Sequence, residues 1–293
     1  MERTIGAPVE RSFETAGPIR LRVELPAGDL TVRAGSEGVT LVTLIPRGAH
    51  GEELLSHFTV EQRGSEIHVE SPKDRDSFLS WGRRGSVDVE VDLPARSEID
   101  VRLGSGGVVT SGVLGRAAAV TGSGDLSVDE VAGGLLRSGS GDLAAGAIRG
   151  PLDAKTGSGD VSIEVAGADV GLISGSGDVW VGRAEASLKV KTGSGDVTVG
   201  ASTGDIELLS GTGDLDLQGI HAGQVRVKTG SGDVSLAVVQ GVAAYLDLDS
   251  VTGDVDVDLE QASGPEDADA TAGLSVRSGS GDIHVKRAQV SLT

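Results

Sequence analysis

A tetrapeptide, Gly-(Ser/Thr)-Gly-Asp, recurs along this chain at an almost fixed interval, ending at Asp125, Asp142, Asp160, Asp178, Asp196, Asp214 and Asp233. The successive steps are 17, 18, 18, 18, 18 and 19 residues. Two further copies end at Asp254, where Val251 replaces the first glycine, and at Asp282. A degenerate copy, Gly104-Ser105-Gly106-Gly107, precedes Asp125. A constant period means that one small structural unit is laid down repeatedly, and it narrows the choice of fold more than any local propensity does.

Aligning the copies on the Asp brings out columns. One residue after it stand Leu126, Leu143, Val161, Val179, Val197, Leu215, Val234, Val255 and Ile283; three after it stand Val128, Ala145, Ile163, Val181, Val199, Leu217, Leu236, Val257 and Val285. Six and eight residues before it, Leu172 and Val170, Val190 and Leu188, and Leu208 and Ile206 repeat the pattern. Polar residues alternate with them, among them Ser162, Thr198 and Asp216 after the turn and Arg137, Lys155, Lys191, Lys228 and Arg277 before it. Period-two alternation of β-branched and polar residues predicts two short strands per repeat and opposes helix. A hairpin meander gives no reason for like residues to recur every eighteen. A coil that returns to the same place each turn does, because each column then becomes a ladder of like side chains. The expected fold is all-β: a parallel β-solenoid with rungs of about 18 residues, right-handed by the usual hand of parallel crossovers.

Composition agrees with a narrow core. Aromatics are 2% of the 293 residues, so valine, leucine and alanine must fill the interior. Glycine, at 46 residues, is turn punctuation, since it falls at fixed positions in the repeat. The chain has no cysteine, which excludes disulfides and thiolate chemistry. The formal charge of −19 disfavours phosphate backbones and anionic lipid surfaces, so neither nucleic acid nor membrane is the expected partner. A protein partner or self-association suits it better. Met1 to Arg20 contains no apolar segment of the secretory kind, and the expected location is cytoplasmic.

Residues 1–100 keep the grammar without the clean period. Ile19 to Leu25 alternates, turns at Pro26-Ala27-Gly28 and resumes at Asp29-Leu30-Thr31-Val32; Val87 to Leu93, Pro94-Ala95 and Ile99-Asp100-Val101 do the same. This region reads as irregular early rungs or a β-rich cap, with 101–293 as the regular solenoid. Glu52 to Phe58 allows one or two helical turns. Lys73 to Gly85 reads as a charged loop carrying Phe78, Trp81, Arg83 and Arg84, expected to pack on the cap. The steps of 21 to Asp254 and 28 to Asp282 break the period. The excess matches 262–271, Ala-Ser-Gly-Pro-Glu-Asp-Ala-Asp-Ala-Thr, expected to be an acidic loop extruded from one rung.

The TGSGDV and SGSGDV runs, with the LPAGDLTV segment at Leu25 to Val32, resemble the bacterial β-strand-repeat family of unknown function often labelled "putative adhesin". The resemblance covers nearly the whole chain and is strongest from Val101 to Val285. It implies a β-helical fold, no known catalytic residues and, from the adhesin label, surface exposure.

Several chemistries compete for the repeated residues. Calcium-binding β-rolls use G-G-x-G-x-D, with carboxylates of adjacent coils caging the ion. Here no residue separates the second glycine from Asp, and the turn comes once per eighteen residues. The favoured reading is therefore an Asp that accepts hydrogen bonds from turn N–H groups, beside a hydroxyl ladder at Ser123, Ser140, Ser158, Ser176, Ser194, Thr212 and Ser231; calcium binding by the Asp residues is the alternative. A second hydroxyl column, Thr121, Ser138, Thr156, Ser174, Thr192, Ser210 and Thr229, could order water but lacks the flat Thr-x-Thr face of an ice-binding surface. His50, His57, His68, His221 and His284 show no metal-ligand spacing. Carbohydrate-cleaving β-helices pair carboxylates with aromatic or basic sugar-binding groups, and Trp180 stands nearly alone. The sequence thus assigns no catalytic, cofactor or metal residues and leads to a non-enzymatic structural or interaction repeat protein.

Overall fold

A computed structural model of the chain describes residues 7–48, 50–71, 85–259 and 270–288. The fold is a parallel β-solenoid, and it divides into two compact units, Met1–Gly146 and Ala147–Thr293.

In the second unit each repeat supplies one strand before the Asp turn and one after it. The strands before the turn, Leu152–Ser158, Val170–Ser176, Leu188–Ser194, Ile206–Thr212 and Gly223–Ser231, pair in parallel in that order. The strands after it, Val161–Ala166, Val179–Ala184, Val197–Ser202, Leu215–Ile220 and Val234–Val238, form the opposing sheet, again in parallel and in order. Val161 pairs with Val179, and Val179 with Val197. The apolar columns point inward and are buried throughout these rungs. Each such valine or leucine contributes on the order of 1.5–3 kcal/mol, and valine stacked on valine fills the narrow interior without large rings.

The stacking order departs from chain order at the end of this unit. Gly223–Ser231 pairs with Ala270–Ser280, and Val234–Val238 with Ile283–Arg287. The intervening strands Val242–Ser250 and Val255–Asp258 pair on the far side of this last rung. The final rung of the chain is thus inserted beneath its predecessor, and both of its edges are satisfied. The step of 28 residues from Asp254 to Asp282 is the connection that this requires. Of the loop expected at 262–271, residues 262–269 lie outside the described residues, and Ala270 and Thr271 begin a strand.

The first unit uses the same device. Rungs Glu98–Ser105 with Val108–Leu114, and Ala117–Ser123 with Leu126–Val131, stack in parallel. The rung Arg20–Ala27 with Leu30–Ser36 pairs with Glu98–Ser105 and Val108–Leu114 on one side. On its other side it pairs with Glu66–Glu70 and Ser86–Pro94, which are later in sequence. Antiparallel strands close this end: Val39–Arg47 on Ser86–Pro94, Val9–Glu14 on Val39–Arg47, and Thr59–Arg63 on Glu66–Glu70. A reversal of strand direction interrupts the repeating edge and stops further parallel addition. The helix read near Glu52 spans Gly51–Leu55. Phe78, Trp81, Arg83 and Arg84 of the charged loop lie outside the described residues.

Candidate functional site

The Asp turn recurs with little change from rung to rung, and its hydrogen bonding explains the Asp of the motif. In the second unit the N–H of Gly177 donates to the carbonyl of Ser194 at 3.2 Å, and the N–H of Val179 to the carbonyl of Asp196 at 2.8 Å. Those bonds run forward to the next rung. The N–H of Asp178 points back and is met by Oδ1 of Asp160 at 2.8 Å. The same bond links Asp196 to Asp178, Asp214 to Asp196, Asp233 to Asp214, Asp282 to Asp233 and Asp254 to Asp282, all at 2.8–2.9 Å. The Asp is thus the acceptor that keeps a backbone donor from going unpaired. The sequence reading placed that donor in the Asp's own turn; it belongs to the adjacent rung.

The glycines follow from the same close stacking. Gly195 has φ +123, a region that residues with a Cβ rarely adopt. A Cβ there would also overlap the carbonyl oxygen of Gly177. Gly193, the first glycine of the motif, has ordinary φ, but its Cβ would lie 2.6 Å from the Gly175 oxygen.

In the first unit the same kind of bond involves two residues outside the repeat. The Asp29 N–H donates to Oδ1 of Asp88 at 3.1 Å, and Gly107 N–H donates to Oδ1 of Asp29 at 2.9 Å. Asp142 N–H donates to Asp125 at 2.9 Å. The remaining Asp88 oxygen accepts from Arg47 Nε at 2.7 Å. Asp29 has a readable signal, the Gly28-Asp29-Leu30 remnant of the motif. Asp88 sits in an alternating strand with no glycine before it and has none.

The two hydroxyl columns take opposite roles. The column nearer the Asp, such as Ser158, Ser176 and Ser194, is exposed. The column four residues before the Asp is buried, including Thr156, Ser174, Thr192 and Thr229. Thr192 Oγ1 donates to the Ser194 carbonyl at 3.1 Å, and Thr229 to the Ser231 carbonyl at 3.0 Å. Hydroxyls turned inward onto the backbone cannot form a water-ordering face.

Among the described residues, no group of three or more His, Asp or Glu side chains is placed to hold a metal ion together. His68 is buried with Nε2 3.1 Å from Glu66 and Nδ1 3.4 Å from Glu70, and His284 Nδ1 lies 3.1 Å from Asp256. Trp180 is 44% exposed on the outer face of its sheet, in register with Ser162 and Thr198. Its indole lies over Gly182, which has no side chain to obstruct it.

The outward columns are therefore what the molecule offers to a ligand. On the sheet before the turn, Lys155, Ile173, Lys191, Leu209, Lys228 and Arg277 follow one another on successive rungs. In the neighbouring column Lys189 Nζ meets Glu207 at 2.6 Å. That bond holds the Glu207 carboxyl below the usual glutamate range, and the charges of Lys189, Lys191 and Arg226 act in the same direction.

The profile of one protein family, Toastrack DUF4097, matches residues 20–199 and again 182–292. No curated protein matches the chain. Among solved structures, a "putative lipid binding protein" from Parabacteroides distasonis is 12% identical, with 96% of this chain and 97% of that chain covered and a TM-score of 0.31. A "putative cell adhesion protein" from Clostridium sporogenes is 10% identical, with 96% and 100% covered and a TM-score of 0.26. A "putative adhesin" from Bacteroides fragilis is 12% identical, with 95% and 97% covered and a TM-score of 0.26.

Proposed function

This chain belongs to the Toastrack DUF4097 family, and from that premise we propose that it works as a non-catalytic interaction scaffold, a stiff β-solenoid whose outward columns dock a protein partner or a second copy. The observation that carries this reading is the division of labour between columns. Inward residues and turn aspartates are committed to rung-to-rung bonding, while outward positions repeat at a fixed register, some paired across rungs as Lys189 and Glu207 are and others, such as Ser162 and Lys191, turned to solvent. Such a surface presents like groups at roughly 4.8 Å intervals on a framework that binding need not deform.

The test compares partners recovered with the wild-type chain and with variants that change outward residues only, such as Ser162→Glu and Thr198→Lys. Loss of a specific partner, or of self-association by light scattering, with an unchanged melting temperature is the expected result. Variants that keep every partner and oligomer, or a purified chain that turns over a substrate, would overturn the reading.

A further inference from the structure

The net charge of −19 conceals a segregation of charge in the second unit. The outward face of the sheet formed by Leu152–Ser158, Val170–Ser176, Leu188–Ser194, Ile206–Thr212 and Gly223–Ser231 carries Lys155, Lys189, Lys191, Arg226 and Lys228 against only Asp153 and Glu207. Glu207 is taken by Lys189, and Lys155, Lys191 and Lys228 are exposed cations.

These three lysines are evenly placed. The register runs Lys155–Ile173–Lys191–Leu209–Lys228, one residue per rung, so a cation recurs every second rung, about 9.6 Å apart. Ile173, 44% exposed, and the half-buried Leu209 fill the rungs between. Around Leu209, between Lys191 and Lys228, lies an open groove of about 470 Å³ that Gly211 and Gly230 also line. The stripe has acidic margins: the turn ladder Asp160 to Asp233 on one side, and Asp169, Glu185 and Asp205 in the opposite turns on the other.

We propose that this stripe docks an extended acidic peptide segment in polyproline II conformation, with a carboxylate at every third residue. The proposal rests on the scaffold reading and names its partner. The geometry selects this occupant in two ways. A polyproline II helix has three residues per turn and a rise of about 3.1 Å, so every third side chain faces the same way at about 9.3 Å. Over the two intervals from Lys155 to Lys228 the mismatch accumulates to only ~0.6 Å. A β-strand repeats a face every ~6.6 Å and falls out of step within one interval. Secondly, a broad anionic surface, whether a bilayer or a duplex, would meet both acidic margins as well as the lysines. A single thin chain lying in the stripe meets the lysines alone, while its prolines and other residues cover Ile173 and Leu209.

The test is fluorescence anisotropy at low salt with a labelled peptide of (Glu-Pro-Pro) repeats, against a (Glu-Pro) peptide of the same charge. In the latter, equally facing glutamates recur only every sixth residue. The full chain binds the first up to about fivefold more tightly, because the second peptide leaves Lys191 without a facing glutamate; each of Lys155→Gln, Lys191→Gln and Lys228→Gln weakens binding of the first by a similar factor, and added salt weakens it further. The lysines are exposed, so the variants melt as the wild type does. Equal affinity for the two peptides, an undiminished triple variant, or preferential binding to phosphatidylcholine vesicles containing phosphatidylserine would each overturn the proposal. Any of these leaves the scaffold reading intact, because that reading is decided by loss of partners from other outward variants.

Discussion

The backbone N–H of Asp178 donates to Oδ1 of Asp160, one rung away, at 2.8 Å, and Asp178 in turn accepts from Asp196. Each aspartate therefore serves two rungs, as a donor through its backbone and as an acceptor through its side chain. Around Asp178 the turn N–H groups of Gly177 and Val179 run forward to carbonyls and that of Asp178 runs back to a carboxylate. The repeated Asp is explained by the backbone it satisfies.

Replacing Asp178 by alanine leaves the Asp196 N–H without its acceptor and is expected to cost about 1–3 kcal/mol. Asp178→Asn retains an oxygen acceptor and is expected to cost less than half of that. Urea denaturation measures both, and amide exchange at Asp196 should accelerate in the alanine variant only.

Gly195→Ala places a Cβ against the Gly177 carbonyl at a φ of +123. A loss of about 2–4 kcal/mol is expected, combining backbone strain with the displaced rung. Gly35→Ala meets nothing within 4 Å and carries no such φ, so it should change the melting temperature little. Thermal melts of the two variants provide the comparison.

Much of this was legible before any coordinates. The columns that contain Val161 and Val179 fixed the parallel register, and the interval fixed the rung. The order of rungs at the ends was not legible, for a physical reason. Asp254 and Asp282 begin rungs with nearly the same apolar residues, Val255 and Val257 against Ile283 and Val285, so either pair could have lain on the Asp233 rung; in the structure Ile283 and Val285 are buried there and Val255 and Val257 are left exposed. The only trace of that order in the sequence was an irregular step. The lysine stripe was hidden differently: summing charge over the chain erases where the charges sit. Lys155, Lys191 and Lys228 were visible as a polar column, but their acidic margins belong to turns that only the folded rung brings alongside.

Calcium offers a direct check on the turn. With Oδ1 of Asp178 and of its neighbours engaged by backbone N–H groups, millimolar calcium or its removal by chelator should leave the melting temperature unchanged. A rise that saturates with calcium would show that the carboxylates prefer a cation to the N–H.

Glu207 provides the pH dependence. Its carboxyl is held below the ordinary glutamate range first by the hydrogen bond from Lys189. A depressed folded pKa stabilises the chain above the unfolded glutamate value, and the contribution disappears as pH falls through the folded value. The pair is exposed, so its effect on stability is small; carbon-detected NMR titration is the sensitive readout. Lys189→Ala should move the Glu207 midpoint upward, toward ordinary glutamate.

The most direct measurement uses the absence of cysteine to place thiols in pairs and bridge them with a short bifunctional reagent such as dibromobimane. Ser235 stands in register with His284, and His284 with Asp256. Efficient bridging is expected of Ser235→Cys with His284→Cys across one rung, and none of Ser235→Cys with Asp256→Cys, about 9.6 Å apart with a rung between them. Bridging of the second pair and not the first would mean that rungs stack in plain chain order and would contradict the inserted final rung.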